Sequence, residues 1–151
     1  RSAFAEASLA TSAYLLGLSD AALAMTVEYL KTRIQFGSPI GSFQALQHMA
    51  VDLKLEVALT RASIEDAAVH WDAGPGSLRA HAAISRAHVR ASNAAMTIAN
   101  ACIQLHGGIG FTDEHDIGLY LRKAMVVANQ FGSAARHAAN YASLRPLHQE
   151  S

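Results

Sequence analysis

The stretch from Gln104 to Thr112 ends a long alanine-rich helical pattern with three closely spaced glycines, at positions 107, 108 and 110. Glycine adopts positive φ at low cost, and it lets another backbone or a ligand come into contact with the main chain. The ordinary interpretation is a helix that ends in a glycine cap. The alternative is a surface against which another backbone or a ligand packs. Features elsewhere in the chain are needed to distinguish these two interpretations.

Composition indicates the fold class. Apolar residues make up 51% of the 151 positions and aromatic residues only 7%, so the apolar content is mostly alanine, leucine, valine and isoleucine. This balance favours closely packed helices over a β-sandwich. A chain of this length can bury one substantial core. The sequence therefore predicts a single all-α domain.

Hydrophobic periodicity and turn residues divide the chain into five predicted helices. They cover about 2–34, 42–72 and 78–105, then about three turns after Thr112–Asp116, then about 134–144. The first is apolar nearly all round, so we expect it at the centre. We expect Ser42 to cap the second helix and the carboxylates of Asp113, Glu114 and Asp116 to lie at the start of the fourth. The tail from Leu147 onward is expected to fray.

Charge and cysteine content limit the partners and the compartment. Twelve basic residues balance twelve acidic ones and form no basic face, so we expect no nucleic acid or anionic membrane surface as a partner. The single Cys102 cannot form an internal disulfide and is expected in the core. With neither a membrane span nor a leader in view, we expect a cytoplasmic protein. The chain has no initiator Met, which indicates a piece of a longer protein.

Several familiar motifs are absent. The eight histidines include no His-Glu-x-x-His, and no Glu is followed three residues later by His, so no metal site is predicted. His81 and His88 share a helix face, where we expect surface or partly packed side chains. The glycine run follows a helix instead of a strand, which excludes a dinucleotide-binding fingerprint.

The segment from Arg33 to Gly37 is the second candidate site. Its arginine ends a helix, an aromatic follows at Phe36, and a glycine then turns the chain. A guanidinium in this position could bind a pyrophosphate through two hydrogen bonds while Phe36 offers an apolar face to a ring. The alternative is a cation at a helix C-terminus, with Phe36 in the core.

Taken together, three segments resemble the C-terminal helical domain of the acyl-CoA dehydrogenase family. They are Arg-x-x-Phe-Gly-x-Pro-Ile-Gly-x-Phe-Gln from Arg33 to Gln44, Gln-Leu-His-Gly-Gly-Ile-Gly-Phe-Thr from Gln104 to Thr112, and Leu-Tyr-Leu-Arg-Lys-Ala from Leu119 to Ala124. Their order and separations agree with the family, and the resemblance covers essentially the whole chain. It implies an up-down four-helix bundle with a short extra C-terminal helix, preceded in the complete protein by a helical and a β-domain.

The resemblance also implies FAD as the cofactor. In the family the flavin lies between the β-domain and this bundle, and the bundle of a neighbouring subunit completes the site. The residues that match cofactor positions are Arg33, Phe36, Gln44, Gln104, Gly107, Gly108 and Ser133. The implied partners are an acyl-CoA substrate and an electron-transfer flavoprotein or similar acceptor. The implied assembly is a homodimer or homotetramer, with a heterotetramer as the alternative.

The implied reaction is α,β-dehydrogenation of an acyl-CoA thioester, in which a carboxylate takes the pro-R α-proton and the flavin N5 accepts the β-hydride. Many members carry that carboxylate in Tyr-Glu-Gly-Thr, where this chain has Phe131 in Gln-Phe-Gly-Ser. A second group carries it on the first helix, at the position of Ala7. The neighbouring Glu6 is our candidate base, although one step along a helix turns a side chain by about 100°. The Phe-Gly variant also resembles dehydrogenases of bulky acyl-CoAs such as steroid side chains.

Three interpretations stay open. The chain is the C-terminal domain of an active dehydrogenase, a non-catalytic partner subunit of the same fold, or a helical interaction module unrelated to flavin.

Overall fold

A computed structural model describes residues 2–144 of the chain, which are almost entirely helical. The elements are α1 (Ser2–Thr32), β1 (Ile34–Gln35), β2 (Ser38–Pro39), a 3₁₀ turn (Ile40–Ser42), α2 (Gln44–Ala73), α3 (Leu78–His106), a second 3₁₀ turn (Gly107–Phe111), α4 (Ile117–Val127) and α5 (Ala134–Leu144). The predicted all-α class and the five helices are confirmed. The expected fraying from Leu147 onward falls outside the described residues.

The central helix is α3, because it packs against each of the other four helices. Its buried face is built mainly from small residues such as Ala87, Ala91 and Ala95, which let neighbouring helices approach closely. The prediction that α1 is central was wrong. That helix packs against α2, α3 and α4 but leaves Tyr14 and Gly17 exposed.

The first helix is long and apolar enough to cross a bilayer by length and composition, contrary to the sequence-based expectation. Half of its most apolar window is nevertheless buried inside the bundle, as in a core helix. Its buried hydroxyls are satisfied within the helix. Ser12, Ser19 and Thr26 each donate a hydrogen bond to the carbonyl four residues earlier, at 2.8 Å.

A short antiparallel hairpin joins α1 to α2, which the sequence analysis did not predict. Ile34 pairs with Pro39, and the two-residue turn between the strands is Phe36–Gly37, with φ of 52° and 80°. Two successive positive φ values are typical of a type I′ hairpin turn. Ser42 is not the cap of α2, because its hydroxyl donates to the Pro39 carbonyl at 2.7 Å and Phe43 occupies the cap position.

The glycines at 107–110 combine a turn with a close backbone contact. Gly107 caps α3 with a φ of 64° and donates its N–H to the Gln104 carbonyl. At Gly110, a Cβ would lie 2.5 Å from the Ile103 carbonyl oxygen, so only glycine fits there.

The carboxylates that follow this turn do not begin α4 as expected. The first turn of α4 contains no acidic residue, and Asp116 at the cap position makes no side-chain hydrogen bond. Asp113 instead pairs with Arg122 at 2.7 Å. Arg122 lies in the second turn of α4, and its charge competes with the N-terminus of that helix for the Asp113 carboxylate.

Candidate functional site

The C-terminal ends of α1 and α3 lie side by side. The Tyr29 hydroxyl donates to the His106 carbonyl at 3.2 Å, and the two rings stack with centroids 4.4 Å apart. Arg33 follows Tyr29 by one helical turn, and its N–H donates to the Tyr29 carbonyl at 2.9 Å. The arginine segment and the glycine run, far apart in sequence, therefore meet at one end of the bundle.

Six of the predicted cofactor residues occupy this end, and all of them are exposed. They are Arg33, Phe36, Gln44, Gln104, Gly107 and Gly108, which we call the corner surface. Phe36 is 92% exposed, so its alternative assignment to the core was wrong. Within residues 2–144 the Arg33 guanidinium makes no ion pair.

The hairpin and the following 3₁₀ turn hold the first part of this surface against α1. A Cβ on Gly41 would lie 2.9 Å from the Leu30 carbonyl oxygen, which shows how closely the two backbones pack. Phe36 and Phe43 contact edge to face, with ring centroids 6.2 Å apart. Gln44 is the first residue of α2 and lies next to this pair.

The two exposed glycines differ from Gly110. A Cβ at Gly107 or at Gly108 would meet nothing within 4 Å in the described chain, and only Gly107 has a positive φ. The fold therefore explains Gly107 as a helix cap but gives no internal reason for glycine at position 108. Close approach of a group from outside the domain remains the interpretation that accounts for Gly108.

His106 is buried beneath the corner surface, at the last residue of α3, and the sequence analysis did not identify it as a candidate. Its Nδ1 donates to the Cys102 carbonyl at 2.8 Å, and its ring lies 4.4 Å from that of His115. Nε2 is buried without a partner in the described residues. Burial lowers the pKa of His106, opposed by the Cys102 hydrogen bond and assisted by His115, so the neutral ring is favoured at pH 7.

The remaining predicted residues lie toward the other end of the bundle. Phe131 packs edge to face on Phe4 near the start of α1, with centroids 5.9 Å apart. Phe131 also lines a groove of about 360 Å³ between α1 and the segment that follows α4, which we call the loop groove. Its walls are Ala7, Ala10, Thr11, Tyr14, Lys123, Val127, Gln130 and Phe131.

The loop groove brings together both positions at which the family resemblance implies a carboxylate. Ala7 and Phe131 both line it, and no Asp or Glu is among its lining residues. Glu6 is exposed on α1 and is not one of those residues. Its role as a base stays a prediction. The charged residue in the groove wall is Lys123, whose Nζ lies 5.6 Å from the centre of the Tyr14 ring.

Ser133 has a structural partner. Its Oγ accepts a hydrogen bond from the Arg136 N–H at 3.3 Å, in the manner of a cap for α5. The side chain is exposed, and its predicted role beside a flavin stays a prediction.

The corner surface and the loop groove are far apart. Glu6 and Arg33 are separated by almost the whole of α1, about 40 Å at the rise of an α-helix. Gly132 contacts His88 of α3, which lies about 27 Å before His106 along that helix. The predicted site residues therefore form two separate patches on one chain.

Two buried histidines adjoin the loop groove, and the sequence analysis did not connect them. His88, considered only with His81 as a surface or partly packed residue, is fully buried, and His137 is 2% exposed. Their ring centroids are 4.2 Å apart. The two residues are 49 positions apart on different helices, so no local pattern could have paired them.

Comparison with known proteins gives a consistent result. Residues 1–143 match the family described as acyl-CoA dehydrogenase, C-terminal domain. The acyl-CoA dehydrogenase IpdE2 of Mycobacterium tuberculosis is 44% identical over 118 residues, which are 78% of this chain and 35% of that protein.

Two solved structures resemble the fold closely. The Tcur3481–Tcur3483 steroid ACAD has a TM-score of 0.83 and 30% identity, over 91% of this chain and 37% of that one. The ChsE4–ChsE5 complex from Mycobacterium tuberculosis has a TM-score of 0.84 and 28% identity, over 93% of this chain and 37% of that one. The chain thus spans little more than a third of the proteins that it matches.

Proposed function

The chain belongs to the acyl-CoA dehydrogenase family as its C-terminal domain, and from this premise we propose that it provides flavin contacts in an FAD-dependent enzyme that oxidises an acyl-CoA thioester to the α,β-unsaturated product. FAD supplies the hydride acceptor when it is bound. The residues of this chain provide binding and orientation.

The observation that carries this proposal is the corner surface. It combines a guanidinium at Arg33 that makes no ion pair within residues 2–144, an exposed aromatic ring at Phe36 and an open backbone at Gly107 and Gly108. A guanidinium suits phosphate oxygens, an exposed ring suits the face of a base, and a backbone without side chains admits close contact. These residues fit the nucleotide half of a flavin dinucleotide.

The separation of the two patches supports contact across subunits. The loop groove is about 27 Å from the corner surface along α3, so the two patches do not form one compact site within this chain. We infer that the corner surface serves the cofactor of a neighbouring subunit, in a homodimer, a homotetramer or a heterotetramer.

We further propose a bulky acyl-CoA as the substrate and an electron-transfer flavoprotein or similar acceptor as the redox partner, in the cytoplasm. The Phe131–Gly132 sequence supports the bulky substrate, since it resembles dehydrogenases of steroid side chains. One of the similar solved structures is a steroid ACAD.

The test is flavin retention in the full-length assembly after Arg33→Ala. We expect about 10- to 100-fold weaker FAD binding, because charge-assisted hydrogen bonds to phosphate are lost. The bound flavin is measured by its absorbance after gel filtration. Arg79→Ala is the matched control, because it removes another exposed guanidinium near the opposite end of α3.

Full flavin retention by both variants would contradict the proposal and favour the flavin-independent interaction module. Loss in both variants would indicate general destabilisation, which the unfolding temperature detects.

A second candidate, a non-catalytic partner subunit, is favoured by the composition of the loop groove. Among the described residues no carboxylate lines it, although Ala7 and Phe131 both do. Such a subunit would lend its corner surface to a catalytic neighbour. One of the similar solved structures is a complex of two different proteins, ChsE4 and ChsE5.

Turnover of a Glu6→Gln variant in the full-length assembly tests Glu6 as the base. Unchanged turnover would remove Glu6 from consideration and leave either a non-catalytic subunit or an active subunit whose base lies outside the usual places. The non-catalytic subunit predicts unchanged turnover, because Glu6 lies outside the groove wall. Loss of turnover with the flavin retained would instead identify Glu6 as the base of an active subunit, since an amide takes no proton.

A further inference from the structure

The loop between α4 and α5 has an unusual backbone at the groove. Phe131 and Gly132 have φ values of 58° and 116°, and Phe131 is one of two non-glycine residues within 2–144 with positive φ. A left-handed conformation is unfavourable for a residue with a Cβ, and it persists when surrounding contacts fix it.

Two buried imidazoles supply those contacts. His137 Nε2 lies 3.1 Å from the Phe131 carbonyl oxygen, and His88 Nε2 lies 3.2 Å from the Gly132 carbonyl oxygen. A carbonyl oxygen only accepts hydrogen bonds, so each ring must carry a proton on Nε2 and donate it. Two successive carbonyls of the loop are thus bound by two different helices.

Packing makes the arrangement specific to glycine at position 132. A Cβ there would lie 3.2 Å from His137 Nε2 and 3.3 Å from Arg136 Cδ. Phe4 lies parallel to the His137 ring, with centroids 6.4 Å apart, and also contacts Phe131. The loop, both imidazoles and the start of α1 therefore form one packed unit.

The His88 ring is oriented from its other side as well. Its Nδ1 lies 3.3 Å from Ser12 Oγ and 3.4 Å from the Ser8 carbonyl oxygen, both on α1. The Nε2 contact with the Gly132 carbonyl oxygen is the shorter of the two carbonyl contacts, so we assign the proton to Nε2. Burial lowers the pKa of both His88 and His137, although their hydrogen bonds to backbone carbonyls oppose the shift. A charge on His88 would lower the pKa of His137 further. Both rings are therefore favoured in the neutral form at pH 7, with the proton on Nε2.

We propose that His88 and His137 are positioning residues that clamp the Phe131–Gly132 backbone and thereby present residue 131 to the loop groove. The inference that position 131 matters for catalysis rests on the proposed function. The clamp itself is a structural property of the loop and can be tested without assuming that function.

The test is proteolysis of the full-length holo-assembly by chymotrypsin, which cleaves after aromatic residues. The bond after Phe131 reports on the clamp, and the bond after Phe36 is an internal control in a second Phe–Gly turn. We expect His137→Leu to speed cleavage after Phe131 about tenfold, because a buried donor to the loop is lost. Cleavage after Phe36 should be unchanged.

His137→Gln is the matched variant, since its amide nitrogen can donate where Nε2 does. We expect it to keep cleavage after Phe131 within about threefold of the natural protein. Equal acceleration by Leu and Gln, equal acceleration at both Phe sites, or no acceleration at all would overturn the proposal.

Gly132→Ala reaches the same contact from the loop side and serves where His137→Leu yields too little folded protein. It should also speed cleavage after Phe131 selectively, and unchanged cleavage would count against the clamp. The outcome is independent of flavin binding. A selective effect of His137→Leu combined with full flavin retention by Arg33→Ala would keep the clamp and remove the proposed function.

Discussion

The chain contains two Phe–Gly turns, one in each candidate patch, and they reach similar backbone conformations by different means. Phe36–Gly37 has φ values of 52° and 80°, and Phe131–Gly132 has values of 58° and 116°. The first turn closes a hairpin and is stabilised by the pairing of Ile34 with Pro39. The second joins two helices and is held by the side chains of His88 and His137.

The difference shows how the two patches depend on the rest of the molecule. Phe36 is 92% exposed and its turn is maintained by neighbours within a few residues. Phe131 is 45% exposed, and its turn is maintained by residues on α3 and α5. The turn at Phe36–Gly37 is therefore locally determined, whereas the turn at Phe131–Gly132 depends on long-range packing.

The largest difference between the two turns should appear in the free energy of unfolding when the glycine of each turn is replaced. We expect Gly132→Ala to lower the free energy of unfolding by about 2–4 kcal/mol, since it adds a clash with His137 to an unfavourable φ. Gly37→Ala, where a Cβ would meet nothing within 4 Å, should cost only about 1 kcal/mol from its φ. Denaturant unfolding of the full-length protein measures both values.

Equal costs at the two glycines would show that the imidazole contact contributes little. In that case the two turns would differ in their surroundings but not in their energetics.

A smaller effect on folding stability is expected when the pH is lowered. In the folded chain, burial lowers the pKa of His88 and His137 below the ordinary value of 6.5. The unfolded chain then binds more protons than the folded chain once the pH falls below about 6.5, so stability decreases in that direction. Each histidine contributes at most about 1.4 kcal/mol per pH unit.

The measurement is urea unfolding between pH 5 and 8, together with chymotrypsin cleavage at the two turns. Cleavage after Phe131 should rise at low pH more than cleavage after Phe36, whose turn contains no titratable side chain. His106, whose pKa is also lowered, adds to the overall loss of stability. His137→Gln is the control, because it removes one titrating group and should flatten the stability profile. A profile that is flat in the natural protein would contradict the assignment of neutral, buried rings.

The sequence predicted the helices well and their ends less well. The fifth helix was expected at about 134–144 and is found at Ala134–Leu144, because its amphipathic pattern is bounded by clear turn residues. Ser42 was wrong as a cap, since a 3₁₀ turn uses its hydroxyl for the Pro39 carbonyl. Several polar residues near a helix start can satisfy the cap, and local sequence does not select among them.

The candidate sites divide in the same way. The family resemblance, which rests on short motifs, suggested the six residues of the corner surface as cofactor contacts. The structure places them at one end of the bundle, and their role toward a cofactor stays a prediction. Short motifs could not identify two other features of the sites. One is the contact between His88 and His137, and the other is the position of Ala7 and Phe131 in the same groove. Both depend on how α1, α3 and α5 pack together.

Amino-acid sequence alone determined the helical class, the family and the residues of the corner surface, since periodicity and short motifs are encoded within a few turns of chain. Only the tertiary structure decided that the two patches lie at different ends of the bundle and that two imidazoles bind the second Phe–Gly turn. Those features arise from contacts between residues far apart in sequence, whose energies depend on packing and burial that no local pattern specifies.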